Sequence, residues 1–325
     1  MPGRNAVTLR DVAEATGYTI NTVSRALKNK PDIGHDTCLT IQRVAREMGY
    51  VRNDIASSLR SGRTRTLAMI VGGLSNPFYT ILADFVQQEA FRLNYGLMLL
   101  CSQDDPEMEL NAVEMAISRR ADGVLITPLA DDTPALARLR ESGMPYLLLN
   151  RYFEDGSDDC VVSNDEEGGC LAGRYLIGQG HRRLAMLSFF PVAYSARKRY
   201  EGFRRACREA GLADPLYAQT SEDDDIRRQL LAWWDEGVTG LFSFCDAEAW
   251  KVLSLMRDCG LDMPGDMALV GYDNLQQALS LPLAIPSVDG HLREEAAAAV
   301  ATIRHRIHHP DLPRQRIILP VSMDP

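Results

Sequence analysis

Apolar residues recur at helical spacing through the first fifty positions and change rhythm at Thr66, where short apolar runs begin to alternate with longer amphipathic stretches. In TLRDVAEATGYTINTVSRAL, Thr8 to Leu27, the apolar Leu9, Val12 and Ala13 fall on one helical face. Thr8 is placed to cap that helix, and Asp11 three residues on completes a capping-box pattern. Gly17 sits where the chain must turn sharply, in a left-handed conformation that glycine takes without strain. Thr19 then caps a second helix, whose Val23 and Leu27 point back at the first. After a polar turn, Lys28 to Gly34, a third helix is expected over about Asp36–Met48, with Leu39, Val44, Ala45 and Met48 as its apolar positions and Gly49 ending it.

From Thr66 the pattern predicts strands at Leu67–Val71, Gly96–Leu100, Gly123–Ile126 and Tyr146–Leu149, separated by helices at Phe78–Leu93, Met108–Arg119 and Ala135–Ser142. The alternation resumes with helix Glu167–Ile177, strand Leu184–Ser188, helix Ser195–Ala210, strand Leu216–Ala218 and helix Ile226–Trp234. Strand Gly240–Phe244, helix Ala247–Cys259 and strand Ala268–Gly271 follow. Such alternation implies parallel sheets with crossover helices. Two doubly wound α/β subdomains fit better than one long sheet, the first over about 66–163 and the second over about 164–285, with the boundary near Asn164. The segment 286–325, with a helix about Leu292–Ile307 and a strand about Arg316–Leu319, is expected to cross back between them.

Between head and body lies Asn53–Arg60 and the polar run Ser61–Arg65. Asn53 is a good N-cap, but isolated helices under ~12 residues are marginal in water. Read by itself, the segment 53–65 is a linker, frayed unless something holds it. The organisation expected is therefore a head at 1–52, a linker at 53–65 and a body at 66–325.

Charge sharpens this division. The 325-residue chain carries a formal net charge of −9, which argues against nucleic acid. Residues 1–65, however, hold 11 Lys+Arg against 6 Asp+Glu, leaving 24 against 38 for the rest. A basic head can approach phosphates while an acidic body is kept off them. Seven cysteines without a CxxC pair fit reduced thiols. No apolar run reaches membrane-spanning length and no signal-peptide core opens the chain, so a soluble, cytoplasmic protein is expected. There is no GxGxxG opening a helix, no P-loop, no GxSxG and no convincing Ser/Cys–His pairing, so no enzyme is indicated.

The two-helix head reads as a helix-turn-helix, whose second helix carries side chains suited to base edges. Asn21 can pair bidentately with adenine, Arg25 with guanine or phosphate, and Ile20 can meet a thymine methyl. An ordinary helical hairpin with a solvated polar face is the alternative.

With these pieces in view, the chain resembles the lac repressor (LacI) family of bacterial transcription regulators over essentially its whole length. The resemblance rests on VTLRDVAEATGYTINTVSRAL, on VRNDIASSLRSGRTRTLAMIV, and in the body on SNPFY, ADGVLI, GHRRLAML, RYEGFRRA and GLDMPGDMALVGYDN. It implies a helix-turn-helix head, a hinge helix and a periplasmic-binding-protein-like body, working as a homodimer on a pseudo-palindromic operator. The chain stops at Pro325 without the leucine-heptad tail of tetrameric members. By the same matching the linker becomes a hinge helix that orders on DNA, two copies together in the minor groove, with Leu59 wedged into the central base step and Ala56 small enough for close approach. Thr8, Thr19, Ile20, Asn21, Ser24, Arg25 and Asn53 are implied to contact DNA: Ile20, Asn21 and Arg25 on bases, Thr8, Thr19 and Ser24 on phosphates or as local caps.

In α/β bodies ligands sit beyond the carboxyl ends of strands. That places Phe78 and Tyr79, Arg151, Ser195 and Arg199, Asp246 and Asp273 as candidates for an effector pocket. Arg199 matches a family arginine that grips the effector, and Arg199 with a carboxylate suits carbohydrate hydroxyls. Phe78 is as readily core as pocket wall, and Asp246 may instead cap the helix after Phe244. Many members carry Asn-Asp where this chain has Cys245-Asp246, with Trp250 shortly after, and Pro191–Tyr194 is bulkier than usual. The effector expected is a carbohydrate, with a modified or larger sugar, a glycoside or a nucleoside left open by these departures. His305, His308 and His309 read as polar residues at a helix end stopped by Pro310, with no metal and no cofactor expected.

Overall fold

The structure, a computed structural model, describes residues 7–50 and 62–325, apart from 131, 152, 154–155, 190–193, 264 and 280–284. The chain divides after Thr64 into two compact units. The first holds α1 (Leu9–Thr16), α2 (Ile20–Ala26) and α3 (His35–Glu47). Thr8 Oγ1 accepts from the Asp11 backbone N–H at 3.3 Å, and the Thr8 N–H donates to Asp11 Oδ2 at 2.7 Å, closing the capping box. Gly17 ends α1 at φ +72°, where a side chain would be strained. Thr19 caps α2 through the Thr22 N–H at 3.2 Å. Val12, Ala13, Val23, Ala26, Cys38, Ile41 and Ala45 form the shared core. The buried face of α3 is therefore Cys38–Ile41–Ala45, and the expected Leu39 is half exposed, on the other side. Cys38, a small and weakly polar side chain, fills the place the pattern assigned to leucine.

The second unit alternates as anticipated. Strands β1 (Thr66–Val71), β2 (Gly96–Cys101), β3 (Gly123–Ile126), β4 (Tyr146–Leu149) and β5 (Cys160–Ser163) are joined by α4 (Pro77–Arg92), α5 (Pro106–Ser118) and α6 (Pro134–Ser142). Then follow α7 (Asp165–Gly178), β6 (Leu184–Ser188), α8 (Tyr194–Glu209), β7 (Leu216–Gln219), α9 (Asp223–Asp235), β8 (Gly240–Ser243), α10 (Asp246–Asp258) and β9 (Ala268–Tyr272). The chain ends with β10 (Ser287–Asp289), α11 (Leu292–His308), β11 (Arg316–Leu319) and β12 (Ser322–Asp324). Two six-stranded sheets result, ordered β11-β5-β4-β3-β1-β2 and β12-β10-β9-β8-β6-β7. The described pairings are parallel except β12 against β10. Each sheet is buried between two apolar layers, which is why the central strands read as continuous apolar runs.

Strands β5, β10 and β12 were not expected from the pattern. They are three or four residues long and interrupted by Ser or Asp, so their pairing with distant strands, not their own composition, makes them strands. They also define the crossings. The chain leaves the first sheet after Ser163, returns to it through Gly290 and His291 into α11, and leaves again at Pro320. Residues 286–289 thus stay with the second sheet.

Two helices position the site more tightly than any others. A Cβ built on Gly169 of α7 would collide with the Arg199 carbonyl of α8, and one on Gly202 of α8 with the Glu166 carbonyl of α7. These glycines let the backbones touch, which sets Arg199 beside Asp165 at the start of α7.

Candidate ligand cavity and DNA-facing helix

In the first unit, burial of Val23 and Ala26 turns the opposite face of α2 outward. Ile20 is 49% exposed, Asn21 and Arg25 are exposed, and Ser24 is half-buried. A large apolar side chain at the tip of an otherwise polar helix face fits a thymine methyl better than water. The hydroxyls of Thr8 and Thr19 are engaged in their caps. Arg25 is tied down: its Nη2 lies 2.6 Å from Asp32 Oδ1, and that hydrogen bond holds the Asp32 carboxyl below its usual range. Asn53, Ala56 and Leu59 lie outside the described residues.

In the second unit a cavity of ≈ 220 Å³ opens where the carboxyl ends of β1, β4, β5, β8 and β9 converge. Phe78, Tyr79, Arg151, Ser195, Arg199 and Asp273 all line it. Arg199 is its centre. Nε donates to Asp165 Oδ1 at 2.8 Å, Nη1 donates to the Phe244 carbonyl at 2.5 Å, and Nη2 lies 3.7 Å from Asp273 Oδ1. The guanidinium rests 3.4 Å over the Tyr272 ring and 4.5 Å from Phe244. Burial opposes its charge, but Asp165, Tyr272 and Asp273 outweigh that and hold the proton more firmly than usual. The planar fork and the stack together make this an arginine site that lysine cannot imitate. Arg151 donates from Nη1 to the carbonyls of Pro128 and Leu129 at 2.7 and 3.0 Å. Phe78 and Tyr79 meet edge to face at 5.3 Å, and both also pack on the core of the first subdomain.

Asp246 is not part of the cavity. It is the first residue of α10, and its side chain points away into the second subdomain, where Oδ2 accepts from the Leu275 N–H at 2.7 Å and Oδ1 from the Ser287 hydroxyl at 2.6 Å. It neither lines the cavity nor caps α10; it braces the turn after β9. Burial pushes its carboxyl up to about 7. Glu248, in the first turn of α10, is likewise pushed up to about 8 by burial, with Oε1 accepting from the Phe189 N–H at 2.8 Å.

Asn150, Asp165 and Glu295 also line the cavity and were not among the sequence candidates. Asn150 follows β4 directly at φ +61°, and Asp273 follows β9 at φ +98°, so two polar residues in sparsely populated backbone conformations face one space. Asp165 begins α7 at the subdomain boundary, a position that could have been flagged. Glu295 sits in α11 with no local signal; only the fold carries it to the cavity. Its Oε1 accepts from Asn150 Nδ2 at 2.9 Å, and burial pushes its carboxyl up to about 8.

Residues 8–53 match bacterial regulatory proteins of the lacI family, residues 64–234 match the periplasmic binding proteins and sugar binding domain of LacI family, and residues 174–325 match a periplasmic binding protein-like domain. The chain belongs to the LacI family. Among its relatives this LacI-family protein is 29% identical to the ribose operon repressor of Escherichia coli (strain K12), over 98% of both chains. It is 30% identical to the HTH-type transcriptional repressor PurR of Vibrio campbellii, over 83% of both. A lac repressor dimer bound to operator and the anti-inducer ONPF shares its fold, at 20% identity and a TM-score of 0.84, with 99% of this chain and 98% of that one covered. The family model of the head falls on α1–α3, and that of the sugar-binding domain on the part of the cavity wall before residue 234. The protein is thus a DNA-binding transcription regulator with a ligand-binding body. Among the described residues no helix is long and apolar enough to cross a membrane, and no group of three or more His, Cys, Asp and Glu is arranged to hold a metal ion.

Proposed function

We propose that this LacI-family regulator is a repressor working as a homodimer in the cytoplasm, its operator affinity set by a small polyol-type effector that it binds without turning over. The observation that carries the reading is the buried Arg199, stacked on Tyr272 and paired with Asp165 in a cavity between two subdomains. A cavity of ≈ 220 Å³ lies below the ~300–1,000 Å³ of drug-sized pockets, which suits a monosaccharide-sized ligand. Mixed donors and acceptors on its walls suit hydroxyls, which do both. Effector contacts are assigned to Phe78, Tyr79, Arg151, Ser195, Arg199 and Asp273, with Asn150, Asp165 and Glu295 added.

Operator reading falls to Ile20, Asn21 and Arg25 on base edges, and to Thr8, Thr19 and Ser24 on phosphates. Asn53, Ala56 and Leu59 belong to a hinge helix formed on DNA, within the linker 53–65 that joins the head 1–52 to the body 66–325. Effector and operator affinities are then linked reciprocally through the subdomain arrangement. The test is selection of binding sites from random duplexes by the full chain, followed by titration of sugars and nucleosides against the selected operator. A two-fold symmetric site, released or tightened by one ligand class and weakened steeply by salt, is expected. Failure to enrich any symmetric site with or without ligands sinks the reading.

A further inference from the structure

The cavity wall holds more buried carboxyl groups than buried cations. Asp165, Asp273 and Glu295 are all buried in its wall, against the single buried guanidinium of Arg199. Arg199 spends its fork on Asp165 and the Phe244 carbonyl, and approaches Asp273 only at 3.7 Å. Arg151 is already committed to two main-chain carbonyls. Glu295 is wholly inaccessible to solvent, and while Oε1 is taken by Asn150, Oε2 has no hydrogen-bond partner among the described residues. An unsatisfied buried carboxyl group is costly unless something arrives to meet it.

We propose that the effector carries an ammonium group which docks on Glu295 beside Asp165 and Asp273, making the ligand an amino sugar or aminopolyol and Glu295 the residue that selects it. The inference rests on the cavity being the effector site. An ammonium supplies three donors and a positive charge that can replace the carboxyl's proton, whereas a hydroxyl supplies one donor and leaves the carboxyl protonated. An anionic sugar would bring further acceptors to a wall already rich in carboxyl oxygens. Asp165 and Asp273 act on Glu295 electrostatically and, after burial, are the causes that hold its proton on. A cation that takes the proton's place as the neutralising group at Glu295 releases that proton to solvent, so binding near neutral pH is coupled to proton release.

The test is calorimetry and thermal melting of the full chain with glucosamine, galactosamine and mannosamine against glucose, galactose and mannose, with the N-acetylated forms as uncharged nitrogen controls. One amino sugar is expected to bind at least about tenfold tighter than its neutral parent, and its N-acetyl form no better than the parent. Titrations at pH 6.5 in two buffers of different ionisation enthalpy should show proton release on binding. Glu295→Gln, which keeps the shape and removes the charge, should bring the affinities of the amino sugar and its neutral parent to within about twofold of each other and abolish the proton release. If the variant does not fold, the wild-type proton count decides. Neutral sugars binding as tightly as amino sugars, no proton release, or a preference that survives in Glu295→Gln overturns the inference and leaves the effector cavity standing. No binding by any sugar of either kind overturns both.

Discussion

Asp246 and Leu275 are joined across the second subdomain by a 2.7 Å hydrogen bond from the Leu275 N–H to the buried Asp246 carboxylate, whose other oxygen holds Ser287. This pair fixes the turn that carries Asp273 into the cavity. Asp246→Ala leaves a buried N–H and a buried hydroxyl without their acceptor and is expected to cost about 1–3 kcal/mol, read as a lowered urea midpoint. Because burial raises the carboxyl to about 7, well above its unfolded value near ~3.9, the folded state binds the proton more tightly. Its contribution is complete below the unfolded value and is lost as pH rises through about 7. Asp246→Asn should therefore flatten the fall in stability between weakly acidic and neutral pH. An unchanged slope would mean that Asp246 does not titrate in this range.

Gly202 and Gly169 make the second expectation. A methyl at either would strike a main-chain carbonyl of the facing helix, an obstacle that no rotamer change removes. Gly202→Ala should destabilise at the upper end of the ~1–3 kcal/mol typical of overpacking. It should also weaken effector binding, because α8 carries Arg199. Retention of both stability and ligand response would show that the helices separate freely.

These two cases mark what the residues disclose locally and what they do not. The alternation of apolar runs and amphipathic stretches announces the α/β body, because each long strand and each helix carries its own period. Strands β5, β10 and β12 carry none, since their partners lie elsewhere in the chain. In the same way Phe78, Arg151, Ser195 and Asp273 are legible as cavity residues because they follow strand ends. Glu295 is hidden mid-helix, and Asp246, also following a strand end, turns the other way. In α3 the pattern chose Leu39, but the turn from α2 rotates Cys38 and Ile41 inward.

Arg199 lines the cavity and is also a structural keystone. Arg199→Ala would strand Asp165 and Asp273 as buried charges, so a loss of about 3–5 kcal/mol is expected along with loss of effector binding. Arg199→Lys keeps the charge but forfeits the bidentate geometry and the stack on Tyr272. It should retain more stability than Arg199→Ala while still failing to respond to effector. Thermal melting with and without ligand separates the two losses.

Arg25 and Asp32 carry the last expectation, which concerns DNA. Their 2.6 Å ion pair sits at the surface, with the side chains 44% and 48% exposed, so its strength falls with salt. Phosphates and base edges compete with Asp32 for the same guanidinium. Asp32→Asn removes the competitor and a negative charge that would face the duplex. Affinity for random DNA at low salt should rise several-fold, and the salt dependence should steepen by about one phosphate contact. Discrimination should shrink, because an untethered Arg25 reaches phosphates as readily as a particular guanine. Asn21→Ala acts in the opposite sense: it should leave random-sequence binding nearly unchanged and cost about 1–3 kcal/mol of preference at one base pair of each half-site. Fluorescence anisotropy with the selected operator and a scrambled duplex, across a salt series, measures both. If Asp32→Asn leaves random-sequence affinity unchanged, the ion pair does not restrain Arg25 on DNA; if Asn21→Ala weakens both duplexes equally, Asn21 contacts the backbone and reads no base.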